Sequence, residues 1–277
     1  MLARVKTWWT ILRICLEERL VYRADFALGT LMRFMPIVTQ IFLWTAVFAA
    51  SGSERLAGYS RSEFVAYYLL TMVSRAFSSM PGLASGIARQ IRDGEIKKFL
   101  IQPIDMLEFL LLSRIAHKLV YYVVAIAPFA LVFFLCRGYF VNLPAAAATN
   151  SLATFAAFVA SLVMSFLLAF FLEASLGLVA FWFMEVSSLL FVYMLLNFFL
   201  SGHMFPLDMV PEPWKTIFEL SPLQFLAYFP AAVFLGKITG AELIRALLIE
   251  AAWLAFFVVL ARGTFHAGLK RYAAYGG

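Results

Sequence analysis

The residues best suited to chemistry in this chain lie in one run, Arg89-Gln90-Ile91-Arg92-Asp93-Gly94-Glu95-Ile96-Lys97-Lys98-Phe99-Leu100-Ile101-Gln102-Pro103. It is the densest run of charge in the interior of an otherwise oily sequence. Bilayer hydrocarbon cannot hold such a run, so it lies in water between two membrane spans, and its net positive charge places that water in the cytoplasm. Ile91, Ile96, Phe99 and Leu100 recur at near-helical spacing among the charges. That spacing predicts a short amphipathic helix, broken at Gly94 and stopped by Pro103, that can rest on a soluble partner. Basic cytoplasmic loops also fix topology in nearly every helical membrane protein, so charge alone does not make this one a docking site.

Few other residues invite chemistry. Glu173 falls two or three turns inside a predicted span. A carboxylate at mid-depth costs about 2.5–3.5 kcal/mol there, so it must be paired, neutralised or close to water. Arg75 also falls in a predicted span, facing the bundle interior or snorkelling inward. Asn197 is polar inside an apolar run and needs a partner or water; with Phe191, Tyr193 and Phe198 it is the candidate for part of a pathway, set against simple helix packing. His117 has Arg114 and Lys118 as neighbours and no carboxylate or thiol one turn away, so it reads as an interfacial residue and no metal site is expected. Cys15 and Cys136 are too far apart in the predicted topology for a disulfide or a metal pair.

Catalytic motifs are missing. Gly236-Lys237-Ile238-Thr239 lacks the earlier glycine of a phosphate loop and falls on the outer side, so the chain is expected to bind no ATP and no other cofactor itself. There is no HExxH, no GxSxG and no pair of loop carboxylates beside a nucleophile, so no catalytic residue is assigned and no enzyme is expected.

The elements that must carry these residues follow from composition. Hydrophobic residues make up 64% and charged residues 14%, with a mean hydropathy of +0.89, against about 25% charged in soluble proteins. This is an all-α, multi-span membrane protein, and at roughly 20 apolar residues per span its length leaves room for about six. The predicted spans are 26–50, 62–80, 107–136, 145–180, 186–200 and 241–261, in a single transmembrane domain covering 1–277. Residues 1–25 form an amphipathic helix for the membrane interface, with Leu2, Val5, Trp9, Leu12, Leu16 and Leu20 as its apolar stripe. No removable signal peptide is expected, because the first apolar run is full span length. The loop occupies 86–105, and the Pro- and Gly-broken stretch 201–235 is too apolar for a free loop, which predicts short re-entrant helices in the outer leaflet. Both termini are cytoplasmic. The formal charge of +6 is spread beside the apolar runs, so it serves topology, and nucleic acid is not an expected partner.

Four stretches resemble the permease subunits of ABC-2 type ABC transporters. They are Tyr22-Arg23-Ala24-Asp25-Phe26 with Phe42-Leu43-Trp44; Ile91-Arg92-Asp93-Gly94-Glu95-Ile96 with Leu100-Ile101-Gln102-Pro103; Ser201-Gly202 with Phe205-Pro206-Leu207 and Pro211; and Ser221-Pro222-Leu223-Gln224-Phe225 through Tyr228-Phe229-Pro230-Ala231 to Leu235-Gly236. Their order and spacing extend over nearly the whole chain.

The resemblance implies a six-helix half transporter in the bacterial plasma membrane. It also implies two separate ABC ATPase subunits that hold ATP and Mg, and a second permease chain, identical or a sister. Arg89, Arg92, Asp93, Gly94, Glu95, Lys97 and Lys98 become the element that docks into the ATPase; Gly202, Phe205, Pro206, Pro211, Trp214 and Pro222 belong to the re-entrant cap at the outer end. Closure of the ATPases would swing the loops as levers and alternate access to a path between the halves. Near absence of ion-pathway residues suggests an amphiphilic cargo, exported by analogy with the family. The rival reading is a secondary transporter or channel working without an ATPase, which should show buried carboxylates or broken helices in both halves.

Overall fold

The computed structural model describes residues 2–21, 35–102, 104–141, 152–183 and 185–276. Tyr22 to Phe26, the first part of the first predicted span, Pro103 and the start of the fourth span lie outside the described residues. The chain divides into two compact units, Met1–Val47 with Ile96–Val141 and Phe48–Glu95 with Asn142–Gly277.

In the first unit, helix α1 (Leu2–Val21) packs along α6 (Met106–Leu135). The contact is made by Ile11, Leu12, Cys15 and Leu16 against Ala116, Phe109 and Leu112, positions one helical turn apart on α1. Trp9, placed on the apolar stripe by spacing, is 68% exposed. The small Ala116, fully buried, lets α1 approach α6 along the Ile11–Cys15 edge, which turns Trp9 outward. Trp8 Nε1 donates to Glu108 at 3.3 Å, and Asp105 caps α6 by accepting the Glu108 N–H at 2.9 Å. Short α5 (Lys97–Leu100) is held by Phe99, whose ring lies 5.4 Å from that of Phe109. Helix α2 (Met35–Ser51) belongs to this unit up to Val47, and α7 (Arg137–Val141) follows α6.

The second unit opens with a two-residue hairpin, β1 (Arg55–Leu56) and β2 (Tyr59–Ser60), turned at Ala57 and Gly58, both with positive φ. It feeds α3 (Arg61–Ser78), whose start is set by a reciprocal capping box between Ser60 and Glu63. Next come α4 (Leu83–Arg92), α8 (Leu152–Leu178) running into a 3₁₀ turn (Val179–Phe181), and α9 (Ser187–Leu200). Short pieces follow: a 3₁₀ turn (Leu207–Met209), α10 (Trp214–Leu220), a second 3₁₀ turn (Pro222–Leu226) and α11 (Tyr228–Phe234), ahead of the long α12 (Gly240–Gly276). Helix α8 is the hub, packing on α12, α4, α3 and α11. Around it Phe64, Tyr67, Phe170, Phe225 and Phe229 are fully buried.

Among the described residues three helices are long and apolar enough to cross a bilayer, Met106–Leu135, Leu152–Phe181 and Gly240–Tyr272; Pro36–Ser51 and Ser187–Leu200 are apolar but shorter. Helix α3, read from sequence as the span 62–80, is not among them. It carries Arg61, Glu63 and Arg75 and is buried along most of its length by its own unit, from Glu63 to Thr71 and at Ser74, Ala76 and Ser78. Its surroundings are protein, which can satisfy polar side chains that lipid cannot. Helix α12 has 37 residues, about 55 Å at 1.5 Å per residue. It continues past 261, where the apolar run ends at Arg262, because no proline follows to stop it.

Candidate functional site

The charged loop is built from two pieces. Its first piece is α4, which buries Leu83, Ala84, Ile87, Ala88 and Ile91 and leaves Arg89 and Arg92 exposed. The buried stripe lies on α8 and the following 3₁₀ turn. At Gly177 the approach is so close that a Cβ would come within 2.6 Å of the Ala84 carbonyl oxygen. Asp93 ends the helix, its N–H donating to the Arg89 carbonyl at 2.8 Å, and Gly94 turns the chain with φ +74°. Arg92 sits 3.7 Å from Asp93 and 4.0 Å from Glu185. Ser187 donates its hydroxyl and its N–H to Glu185, and these bonds, helped by Arg92, hold that carboxyl below the usual carboxylate range. Gly94 lies beside the Tyr272 hydroxyl of α12. Glu95 is exposed. The second piece, with Lys97 and Lys98 exposed on α5, belongs to the first unit; the Lys98 ammonium stands 5.4 Å from the Phe99 ring centroid.

The stretch after α9 is bolted to α3 by tyrosines. Tyr67 donates to the Gly202 carbonyl and Tyr68 to the Met204 carbonyl. Tyr59 and Tyr228 both donate to Asp208, at 2.6 and 2.9 Å. Burial, then the charge of Asp208, pushes the Tyr59 phenol well above its ordinary value, so it stays a donor. Ser78 donates to the Leu226 carbonyl at 2.8 Å, and the Tyr228 N–H to the Ser201 carbonyl at 2.8 Å. Gly202 has φ +75°, and a Cβ there would strike Tyr228 Cβ at 2.6 Å and the Tyr67 hydroxyl at 2.8 Å, so only glycine fits. Pro206 is buried, Phe205 half-buried, Pro211 and Trp214 exposed, and Pro222 opens the second 3₁₀ turn, which Ser221 caps by accepting the Leu223 N–H. Below these, Glu63 receives Lys237 Nζ at 2.6 Å, Arg55 at 2.9 Å and the Ser60 N–H at 2.7 Å. Of the residues singled out by sequence in this stretch, Gly202 turns the chain and Pro222 opens a 3₁₀ turn; the anchors Tyr59, Tyr67, Tyr68, Asp208 and Tyr228 were missed. Their signal was a set of phenols on an apolar background, each needing an acceptor once buried.

A cavity of about 410 Å³ opens in the second unit. Its wall takes in Tyr193, Asn197 and Phe198 of α9, with Arg75 of α3 and Glu173 of α8. The Asn197 Oδ1 is buried without a hydrogen-bond partner. Tyr193 lies within electrostatic reach of both Glu173 and Arg75. Phe191, grouped with them by sequence, is 56% exposed and stands outside the wall. Its place on the opposite side of α9 follows from a two-residue step to Tyr193, which turns a helix by about 200°.

Among the described residues, three helices long and apolar enough to cross a bilayer define a multi-pass α-helical membrane protein. A family model described as ABC-2 family transporter protein matches residues 34–276, and the chain belongs to that family. It is therefore a membrane component of a transporter and not an enzyme in its own right. None of the curated proteins compared with it matches.

Proposed function

We propose that this chain is the permease subunit of an ABC transporter, in which two such chains, identical or sister, form the path and two separate ATPase subunits bind ATP and Mg. Six crossings of the bacterial plasma membrane, with both ends in the cytoplasm, complete this reading: α12 and the helices of the fourth and third spans are joined by α2, α3 and α9. The cargo is an amphiphile, moved outward. Arg89, Arg92, Asp93, Gly94, Glu95, Lys97 and Lys98 dock the ATPase, and Gly202 to Pro222 closes the outer end.

The observation that carries the reading is α4. It is amphipathic, seated by its apolar face on the hub helix with the close approach at Gly177, and presents Arg89 and Arg92 outward. A short helix so mounted passes a push on its charged face to α8 and from there to α12. The test is copurification with the ATPase subunit, followed by Arg92→Glu, Lys97→Glu and Lys98→Glu together. The triple variant should fold normally and lose the ATPase; retained, coupled ATP hydrolysis would remove the docking assignment.

One observation favours the rival secondary transporter. Glu250, fully buried on α12, lies beside Ser161 of α8, and intramembrane carboxyls often mark ion paths. Transport by the purified chain in vesicles, with no ATPase and with an ion gradient alone, would decide for it.

A further inference from the structure

Helix α12 continues past Ala261, the end of its apolar run, and the continuation is held by protein. Ala261, Phe265 and Gly268 are buried and Tyr272 half-buried, a seam at helical spacing, while Lys270 and Arg271 are exposed. Facing the seam is Phe181, the last residue of the 3₁₀ turn that follows α8. Its ring lies 6.5 Å from that of Phe265 and 6.3 Å from that of Tyr272, and a Cβ on Gly268 would come within 2.1 Å of it. The same 3₁₀ turn packs on α4. Both α4 and α12 therefore close on one short turn.

Tyr272 reaches beyond Phe181. Its hydroxyl lies 3.5 Å from where a Cβ on Gly94 would stand, at the bend that leaves α4. There the Asp93 N–H donates to the Arg89 carbonyl at 2.8 Å and the Gly94 N–H to the Ile91 carbonyl at 3.2 Å. These are the last bonds of a helix whose end faces water, and such ends fray unless something covers them. A tyrosine suits the place, because its ring packs edge-on against Phe181 while its hydroxyl stays at the wet end.

We infer that Tyr272 is a positioning residue for the docking loop: packed on Phe181 and set against Gly94, it holds the last turn of α4 in its docking shape before the ATPase arrives. The inference rests on the docking assignment of that loop and adds α12 to it. A surface ordered in advance binds more tightly than one that must be ordered on contact. It also gives the loop a direct hold on α12, beside the route through α8.

The full chain in nanodiscs is compared with Tyr272→Ala and Tyr272→Phe, first alone and then titrated with the ATPase subunit that copurifies with it. Alone, Tyr272→Ala should speed amide exchange at Asp93 and Gly94 by about tenfold or more, with α8 and the apolar part of α12 as protected as before. With the ATPase, Tyr272→Ala should weaken binding by about tenfold at an unchanged unfolding temperature. Tyr272→Phe keeps the ring and should restore both readings. A residue that served the fold alone would lower the unfolding temperature and leave the affinity of the folded chain where it was. If Tyr272→Ala fails to fold, Tyr272→Leu keeps bulk, loses the ring and should give intermediate values of both. Unchanged exchange at Asp93 and Gly94 would overturn the inference. So would full ATPase affinity in Tyr272→Ala when Arg92→Glu, Lys97→Glu and Lys98→Glu together abolish binding, and the docking assignment would then stand. Full affinity in that triple variant as well would remove the docking assignment itself, and the inference with it.

Discussion

Single side chains decide two close contacts. Gly177 meets Ala84 and Ile87 where α8 crosses α4, so Gly177→Val should cost about 1–3 kcal/mol through overpacking. Gly86, on the same α4, has open space around a Cβ; Gly86→Ala should leave stability unchanged or slightly raised, by thermal unfolding of the purified chain in detergent. The second contact is electrostatic. The Glu63 side chain is 1% exposed and accepts from Lys237, Arg55 and the Ser60 N–H. Glu63→Gln turns one of its oxygens into a donor facing donors and should cost about 1.5–3 kcal/mol, read in the same assay. Neither Gly177 nor Glu63 was legible as special. The first looks like any small residue in an apolar run, and the partner that gives the second its role, Lys237, lies 174 positions away.

At the scale of elements, the sequence shows what depends on neighbours along the chain and hides what depends on distant ones. Helices α6 and α8 were legible because each is a long apolar run. The break at Gly94 was legible because a glycine between charged helical turns is a stop signal. The interior position of α3 was not, since its polar side chains find acceptors far off: Tyr67 bonds to Gly202 across 135 positions. That bolting makes a prediction for the segment from Gly202 to Tyr228. Asp208→Ala orphans the Tyr59 and Tyr228 hydroxyls, at about 1–3 kcal/mol, and should raise hydrogen exchange from Gly202 to Tyr228 while α8 stays protected. At the other end of the unit, α9 begins beside Glu185, whose folded value lies below its ordinary one. A depressed carboxyl stabilises above its unfolded value and loses that contribution as pH falls through the folded one. Exchange protection in the first turn of α9 should therefore hold at neutral pH and weaken under acid, and Glu185→Gln should flatten that dependence.

At the scale of the whole molecule, the family assignment makes this chain a membrane component of a transporter, and topology is the sharpest test of the arrangement proposed for it. A cysteine at Gly94 should react with a membrane-impermeant maleimide only in inside-out vesicles, and one at Trp214 only in intact cells; the reverse pattern would turn the proposed arrangement over. The length of α12 adds a consequence of its own. Its last turns hold Phe181 against Phe265 and Tyr272, so tightly that Gly268 admits no Cβ. Without a proline between Gly240 and Gly276, the rod of about 55 Å has no elbow. Rocked by about 10° around its Gly240 end, well inside the spread of tilts that bilayer helices show, it would sweep its far tip by roughly 10 Å, an amplification that a helix cut to bilayer thickness could not reach.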